Sequence, residues 1–123
     1  MAIKNIFKKK QWKADYEAGR DAFNAGQFKA AETHLRAALG KAIELDDSSY
    51  GDTALLLGQV MRRLERYDES LELTEKSFNY FNGFFGSADQ RTISAHLSLV
   101  LADAGKAHAD PGLRQETYSK AVE

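Results

Sequence analysis

The chain has 123 residues, with 17 Lys and Arg against 18 Asp and Glu, 43% hydrophobic residues, one proline and no cysteine. This composition is typical of one soluble domain or a short array of small repeats, and the lack of cysteine excludes a disulfide framework, a thiolate nucleophile and a cysteine-ligated metal. The net charge of −1 provides no overall attraction to nucleic acid, so no nucleic-acid partner is expected. Because the sequence shows no long apolar run and no secretory signal, we expect a cytoplasmic protein.

Positive charge is concentrated at the N-terminus. Residues 1–13 contain five lysines and no acidic residue, whereas the rest of the chain carries 12 basic and 18 acidic residues. We assign residues 1–11 to a basic N-terminal arm, ahead of a single domain over residues 12–123.

The arm has two interpretations. Ile3, Ile6 and Phe7 have helical spacing, which is typical of a short interfacial membrane anchor. We favour the alternative that the segment leads into the first helix, with Ile6 and Phe7 packed on a neighbour, because one or two turns bury too little apolar area for firm attachment. Membrane contact would then be weak and would involve Lys4, Lys8, Lys9 and Lys10.

Apolar and small residues recur at helical spacing in six segments that form pairs. The predicted helices end at residue 25, span 28–45, 55–64, 67–81 and about 89–104, and open at Asp110-Pro111. Asn82-Gly83 supplies a left-handed stop after the fourth helix, and residues 106–110 separate the last two. No alternating stretch is long enough for a strand, so the fold class is all-α.

The helix pairs are internal repeats. An offset of 39 residues aligns Gly19 with Gly58 and Phe28 with Tyr67, and a further shift of 40 reaches a third, weaker unit. The units span about 12–47, 51–85 and 88–123. Small residues allow two helices to approach closely, so we expect Gly19 against Ala31 and Gly58 against Ser70, with the aromatic residue filling the wedge after each turn. One such hairpin cannot bury its apolar side alone, so the units stack.

These positions carry a family resemblance. The first unit contributes Gly19, Gly26, Phe28, Ala31, Leu35 and Ala38, and the second Leu57-Gly58, Tyr67, Ser70 and Ser77. This pattern resembles the tetratricopeptide repeat, in the longer-period variant of kinesin light chains. The proline that normally follows the second helix is absent, and the third unit departs at residues 106–110 and at Arg114. The resemblance implies a right-handed α-solenoid of about three hairpins, whose first helices line a concave groove that binds a peptide or helix of a partner protein.

Carried over by position, the resemblance implies a specific set of groove residues. They are Lys13, Tyr16, Arg20, Phe23 and Asn24 from the first unit, Asp52, Leu55, Gln59, Arg62 and Arg63 from the second, and Thr92, His96, Leu99 and Asp103 from the third. Arg20 and Arg62 would pair with a carboxylate or phosphate, whereas Tyr16, Phe23 and Leu55 would offer apolar contact. The alternative for each position is a solvated helix face or part of the core. The matching positions do not hold the combination of lysines and asparagines by which some members clamp a C-terminal carboxylate, so no chaperone-tail receptor is predicted.

The segment 78–86 contains five aromatic residues within eight positions. They either pack on the next helix and support a glycine helix stop, or form an exposed patch for a partner or a second copy. The last predicted hairpin ends at Ala121-Val122 without a polar covering helix, which favours either pairing with another chain or a fragment of a longer protein. The predicted oligomer patch comprises Tyr80, Phe81, Phe84, Phe85, Tyr118 and Val122.

Catalytic motifs are nearly absent. The three histidines lie too far apart in sequence for a local metal motif, and no glycine-rich phosphate loop is present. We therefore expect a scaffold or adaptor without enzymatic activity, metal or cofactor. The alternatives are a self-assembling structural protein and, less favoured, a peripheral protein led by the basic arm.

Overall fold

The computed structural model describes residues 2–45 and 47–109, and it is all-helical over these ranges. The helices are α1 (Ala2–Asn24), α2 (Phe28–Ala42), α3 (Ser49–Arg63), α4 (Tyr67–Phe85) and α5 (Gln90–Ala109). Consecutive helices pack against each other, and α3 also contacts α1 and α5. The all-α prediction is thus confirmed for the described ranges. The predicted sixth helix, with Tyr118 and Val122, lies outside them.

The turns of the first two hairpins have the same geometry. Gly26 and Glu65, at equivalent positions of the 39-residue offset, both adopt positive φ, +77° and +62°. Gln27 and Arg66 follow with the same ψ of 73°. Each of these two residues donates its N–H to the carbonyl five residues earlier, at 2.8 and 2.9 Å, which closes the preceding helix. The repeat detected in the sequence is therefore also a repeat of backbone geometry.

The helices of each hairpin cross at a glycine. A Cβ added to Gly19 would lie 2.5 Å from Leu35 Cγ, and one added to Gly58 would lie 2.6 Å from Thr74 Cγ2. These contacts are again 39 residues apart and lie one turn beyond the partners expected from the sequence. The expected contact of Gly58 with Ser70 is nevertheless present, because the Ser70 carbonyl would lie 3.4 Å from the added Cβ and the Ser70 hydroxyl donates to the Gly58 carbonyl at 2.7 Å. Close backbone approach therefore requires glycine at both crossings.

The large residue at the open end of each hairpin changes helices between the units. In the first unit Trp12 of α1 packs in a cluster with Ala42 of α2. At the equivalent positions Gly51 of α3 faces Phe81 of α4, and a Cβ on Gly51 would lie 2.6 Å from the Phe81 ring. The indole N–H of Trp12 donates to Thr53 Oγ1 at 2.7 Å, which joins the two hairpins. Each hairpin thus fills a similar space with one large ring against one small residue.

The structure contains no break between the basic arm and the first helix. Because α1 begins at Ala2, residues 2–11 are its first turns rather than a separate arm. Lys8 pairs with Glu44, and Lys9 Nζ lies 2.8 Å from Asp47 Oδ2, so these lysines hold α1 against the α2–α3 connection. Among the described residues, no helix combines the length and apolarity needed to cross a bilayer.

Several predicted helix bounds were wrong. α2 ends three residues before the predicted end, and α3 begins at Ser49, six residues before the predicted start. α4 continues past Asn82 and Gly83 and is ended by Gly86 at φ +83°. α5 continues to Ala109, through most of the segment expected to separate two helices. In α4, the rings of Tyr80 and Phe84, one turn apart, stack with their centroids 4.6 Å apart. This contact supports the helix across the weak Asn-Gly pair. Side-chain packing therefore outweighs the local stop signal.

Candidate partner-binding groove

α3 is the central helix, and most of its surface is covered by its neighbours. Nine of its 15 residues are buried. The half-buried and exposed positions that remain on one side have helical spacing and are Asp52, Leu55, Gln59, Arg62 and Arg63. We call this set the central strip. It contains all five residues that the sequence assigned to the groove from this unit.

α1 borders the central strip with Tyr16 and Arg20. The Tyr16 ring is half-buried and stacks on Trp12, with centroids 5.1 Å apart. Burial raises the pKa of Tyr16, the negative charge of Asp52 adds to this effect, and the positive charge of Arg20 opposes it. Three predicted groove residues from two helices, Tyr16, Arg20 and Asp52, are therefore close enough to interact electrostatically.

The C-terminal end of the strip carries two arginines, and one of them already contacts aromatic rings of the protein. The Arg63 guanidinium carbon lies 5.9 Å from the ring centroids of both Phe23 and Phe28. Phe23 is thus engaged within the protein, although the sequence assigned it to partner contact. Arg62 differs, because its buried Nε has no hydrogen-bond partner among residues 2–45 and 47–109. Lys13 and Asn24, the other predicted α1 residues, are exposed.

α5 borders the opposite side of the strip. Its residues face those of α3 that lie 39 positions earlier in the chain, not 40 as expected from the sequence. Gln59 Nε2 donates to Ser98 Oγ at 3.1 Å. Asp52 and Leu55 line a cavity together with Arg91 and Ser94 of α5. The α5 residues that face the strip are therefore Arg91, Ser94 and Ser98, none of which was among the residues predicted for the groove. The correct offset was visible in the first two units.

The α5 residues that the sequence did predict occupy a different face. Thr92 is buried, and its hydroxyl has no hydrogen-bond partner within the described ranges. The His96 ring lies 5.3 Å from the Phe78 ring of α4. Leu99 and Asp103 share the His96 side by helical spacing, half-buried and exposed respectively. This face is turned toward α4, so the shift of one residue rotated the predicted set by about 100°.

The cavity between α3 and α5 has a volume of about 560 Å³ and contains the carboxylate of Asp52 beside apolar Leu55 and Phe81. Burial raises the pKa of Asp52; the positive charges of Arg91 and Lys9 oppose this, and the negative charge of Asp47 adds to it. Asp52 forms no side-chain hydrogen bond or ion pair with any residue of the described ranges. A half-buried carboxylate without a partner is a group able to bind a cation or a donor.

The predicted oligomer patch is only partly on the surface. Phe81 is fully buried, contrary to its assignment there. Tyr80 is half-buried, and its hydroxyl donates to the Asp47 carbonyl. Phe84 and Phe85 are 68% and 39% exposed. The two remaining members of the patch lie outside the described residues.

A larger apolar surface, which the sequence analysis missed, lies on α5. Ile93, Leu97, Val100 and Leu101 are between 42% and 57% exposed and share one face by helical spacing. We call this set the α5 apolar face. Its spacing was readable in the sequence, but only the packing shows that α3 and α4 cover the opposite side of the helix. Ile6 and Phe7 of α1 are also exposed, at 55% and 62%, rather than packed on a neighbour as expected.

No group of three or more His, Asp or Glu side chains that could hold a metal ion occurs within the part of the chain that the structure describes. A scan of the sequence against protein-family models finds no match, and searches of curated proteins and of solved structures find none either.

Proposed function

We propose that this protein is a tetratricopeptide-like interaction module that binds a peptide or helix of a partner protein along the central strip of α3 and the flanking faces of α1 and α5. The proposal includes a third hairpin completed by residues beyond α5, a right-handed superhelix, and a cytoplasmic scaffold or adaptor role without catalysis or cofactor. Its family component is supported by the two hairpins whose turns, glycine crossings and aromatic positions repeat at 39 residues.

The central strip is the observation that carries the proposal. α3 is buried on its other sides, yet this strip keeps two arginines, one carboxylate, one amide and one leucine accessible. The unpartnered Nε of Arg62 is a donor that the described part of the protein leaves unused. A buried donor without a partner costs free energy, so a conformation in which the Arg62 side chain turns outward is favoured. There the guanidinium would form charge-assisted hydrogen bonds with a partner carboxylate or phosphate.

Affinity capture from a matched lysate tests the proposal. Arg20→Glu and Arg62→Glu, combined, reverse two charges along the groove, and we expect the specific partners captured by the natural protein to be lost. The matched control is Lys29→Glu combined with Lys76→Glu, which reverses two exposed charges on α2 and α4. If the same partners stay bound to the groove variant, groove recognition is incorrect.

The α5 apolar face supports a second candidate function, self-association with another copy of this chain. Four large apolar side chains on one helix face exceed the scattered exposure usual for a monomer surface. Light scattering at micromolar concentration should then show a mass above 13.7 kDa, which Leu97→Glu returns to the monomer value. A natural protein that is monomeric under these conditions contradicts this candidate.

A further inference from the structure

The charged groups around Asp52 form ion pairs with each other, so its carboxylate has no ion-pair partner among the described residues. Lys9 Nζ lies 2.8 Å from Asp47 Oδ2 and also donates to Ser49 Oγ at 2.7 Å. The same ammonium lies 4.5 Å from the Trp12 ring centroid. Lys9 therefore has its own carboxylate, hydroxyl and aromatic partners, although it is one of the two cations close enough to influence Asp52.

Arg91 is committed in the same way on the other side. Its Nε donates to Asp89 Oδ1 at 3.0 Å, and a second nitrogen lies 3.2 Å from Asp89 Oδ2. Its guanidinium carbon lies 3.6 Å from the Phe85 ring centroid. The acidic groups near Asp52 are thus Asp47 and Asp89, each with its own cation. The neighbouring phenol of Tyr16 is neutral at pH 7, because the ordinary pKa of a tyrosine already lies well above 7 and burial raises it further.

Asp52 lies in a cavity whose shape and lining suit a long basic side chain. Leu55 provides apolar contact for an aliphatic stem, whereas Phe81 lies fully buried beneath the cavity, and the carboxylate accepts hydrogen bonds from the head group. Tyr16, on the α1 side, is close enough to interact electrostatically with Asp52 but is not among the lining residues of the cavity.

We propose that the Asp52 cavity is a specificity pocket for a lysine or arginine side chain of the partner peptide. This inference rests on the proposed function and adds the chemistry of one recognised residue. The bound peptide would place this basic residue at the N-terminal end of α3 and a negatively charged group near Arg62, at the C-terminal end. The groove therefore selects a ligand with separated charges of both signs, in one orientation.

Small probes test the pocket without the natural partner. In an NMR titration of the full chain with N-acetyl-arginine amide, we expect saturable shifts at the amides of Leu55 and Ser94. N-acetyl-citrulline amide, which has the same shape without the charge, should bind at least fivefold more weakly. Asp52→Asn should weaken the arginine probe at least fivefold, and the control Glu75→Gln, an exposed carboxylate on α4, should leave it unchanged.

A peptide probe distinguishes a peptide side chain from a free cation. Acetyl-Ser-Leu-Arg-Leu-Ser amide should bind at least fivefold more tightly than N-acetyl-arginine amide, because its backbone and leucines also contact the strip. Equal affinity for the two probes overturns the peptide assignment. Equal affinity for arginine and citrulline, or an unaffected Asp52→Asn variant, overturns the pocket itself. Either result leaves groove binding to be judged by the charge-reversal captures.

Discussion

Glu65 occupies at φ +62° the turn position that Gly26 occupies at φ +77° in the preceding hairpin. A side chain at positive φ crowds the backbone, whereas glycine adopts this conformation without penalty. The second turn nevertheless forms the same pair of closing hydrogen bonds as the first. The packing of α3 on α4 therefore holds a turn whose local sequence is unfavourable.

The turn position predicts opposite effects in the two hairpins. Glu65→Gly should raise the free energy of unfolding by about 1 kcal/mol, because it removes the cost of a side chain in the left-handed region. Gly26→Ala should lower it by about the same amount, since Gly26 has φ +77° and no atom within 4 Å of an added Cβ. Urea denaturation measures both, and changes of equal sign would contradict the equivalence of the turns.

Alanine should have different effects at two helical glycines, because only one of them lies where two helices cross. A Cβ on Gly58 would lie 2.6 Å from Thr74 Cγ2 and 3.4 Å from the Ser70 carbonyl. Gly58→Ala should therefore cost about 1–3 kcal/mol of stability through overpacking. Gly40 has nothing within 4 Å of an added Cβ, so Gly40→Ala should be neutral or stabilise by up to about 1 kcal/mol. Thermal or urea unfolding that ranks the two variants in reverse order would refute the crossing geometry.

The buried hydrogen bond from Trp12 to Thr53 joins the two hairpins, so its removal should destabilise the protein. Thr53→Val keeps the shape but leaves the indole N–H without its acceptor, which should cost about 1–3 kcal/mol. Thr33→Val is the control, because its hydroxyl is exposed and donates only to the Lys29 carbonyl of its own helix. It should change the free energy of unfolding by less than about 0.5 kcal/mol. Similar losses in the two variants would rule out a buried link through Thr53.

Removing the charge of Asp52 should increase the stability of the protein, by an amount that depends on pH. Burial raises its pKa in the folded protein, which outweighs the favourable position of an acid in the first turn of a helix. A raised pKa stabilises the fold below the ordinary value of 3.8, and this contribution is lost as the pH rises through the folded value. Asp52→Asn should thus be more stable than the natural protein at pH 7, with a smaller difference toward pH 3.

Urea denaturation between pH 3 and pH 7 measures this difference. The control Glu75→Gln removes an exposed carboxylate from α4 and should change the free energy of unfolding at pH 7 by less than about 0.5 kcal/mol. An Asp52→Asn variant that is less stable at pH 7 would show that the carboxylate is held by the fold rather than left for a ligand.

Local periodicity in the chain was enough to predict the helices, apart from several of their bounds, and the 39-residue repeat, whereas the central strip was implied by the family resemblance. Residues three, four and seven positions apart share a helix face whatever surrounds them, which is why Asp52, Leu55 and Gln59 lie on one side of α3. The small and aromatic positions of the hairpins were likewise readable, because each hairpin uses them at the same local spacing. These features depend on contacts close in sequence.

Three features depended on packing between helices. The rotation of α5 decided that Arg91 and Ser94, rather than His96, face the strip. Only the packing shows that Trp12 of α1 and Phe81 of α4, which lie on different helices of their hairpins, fill equivalent spaces. The pairing of Lys9 and Arg91 with other acids left Asp52 without a partner in the described ranges. Periodicity defines the faces of one helix but not its rotation against another, which is set by the shapes and charges of side chains that are distant in the chain.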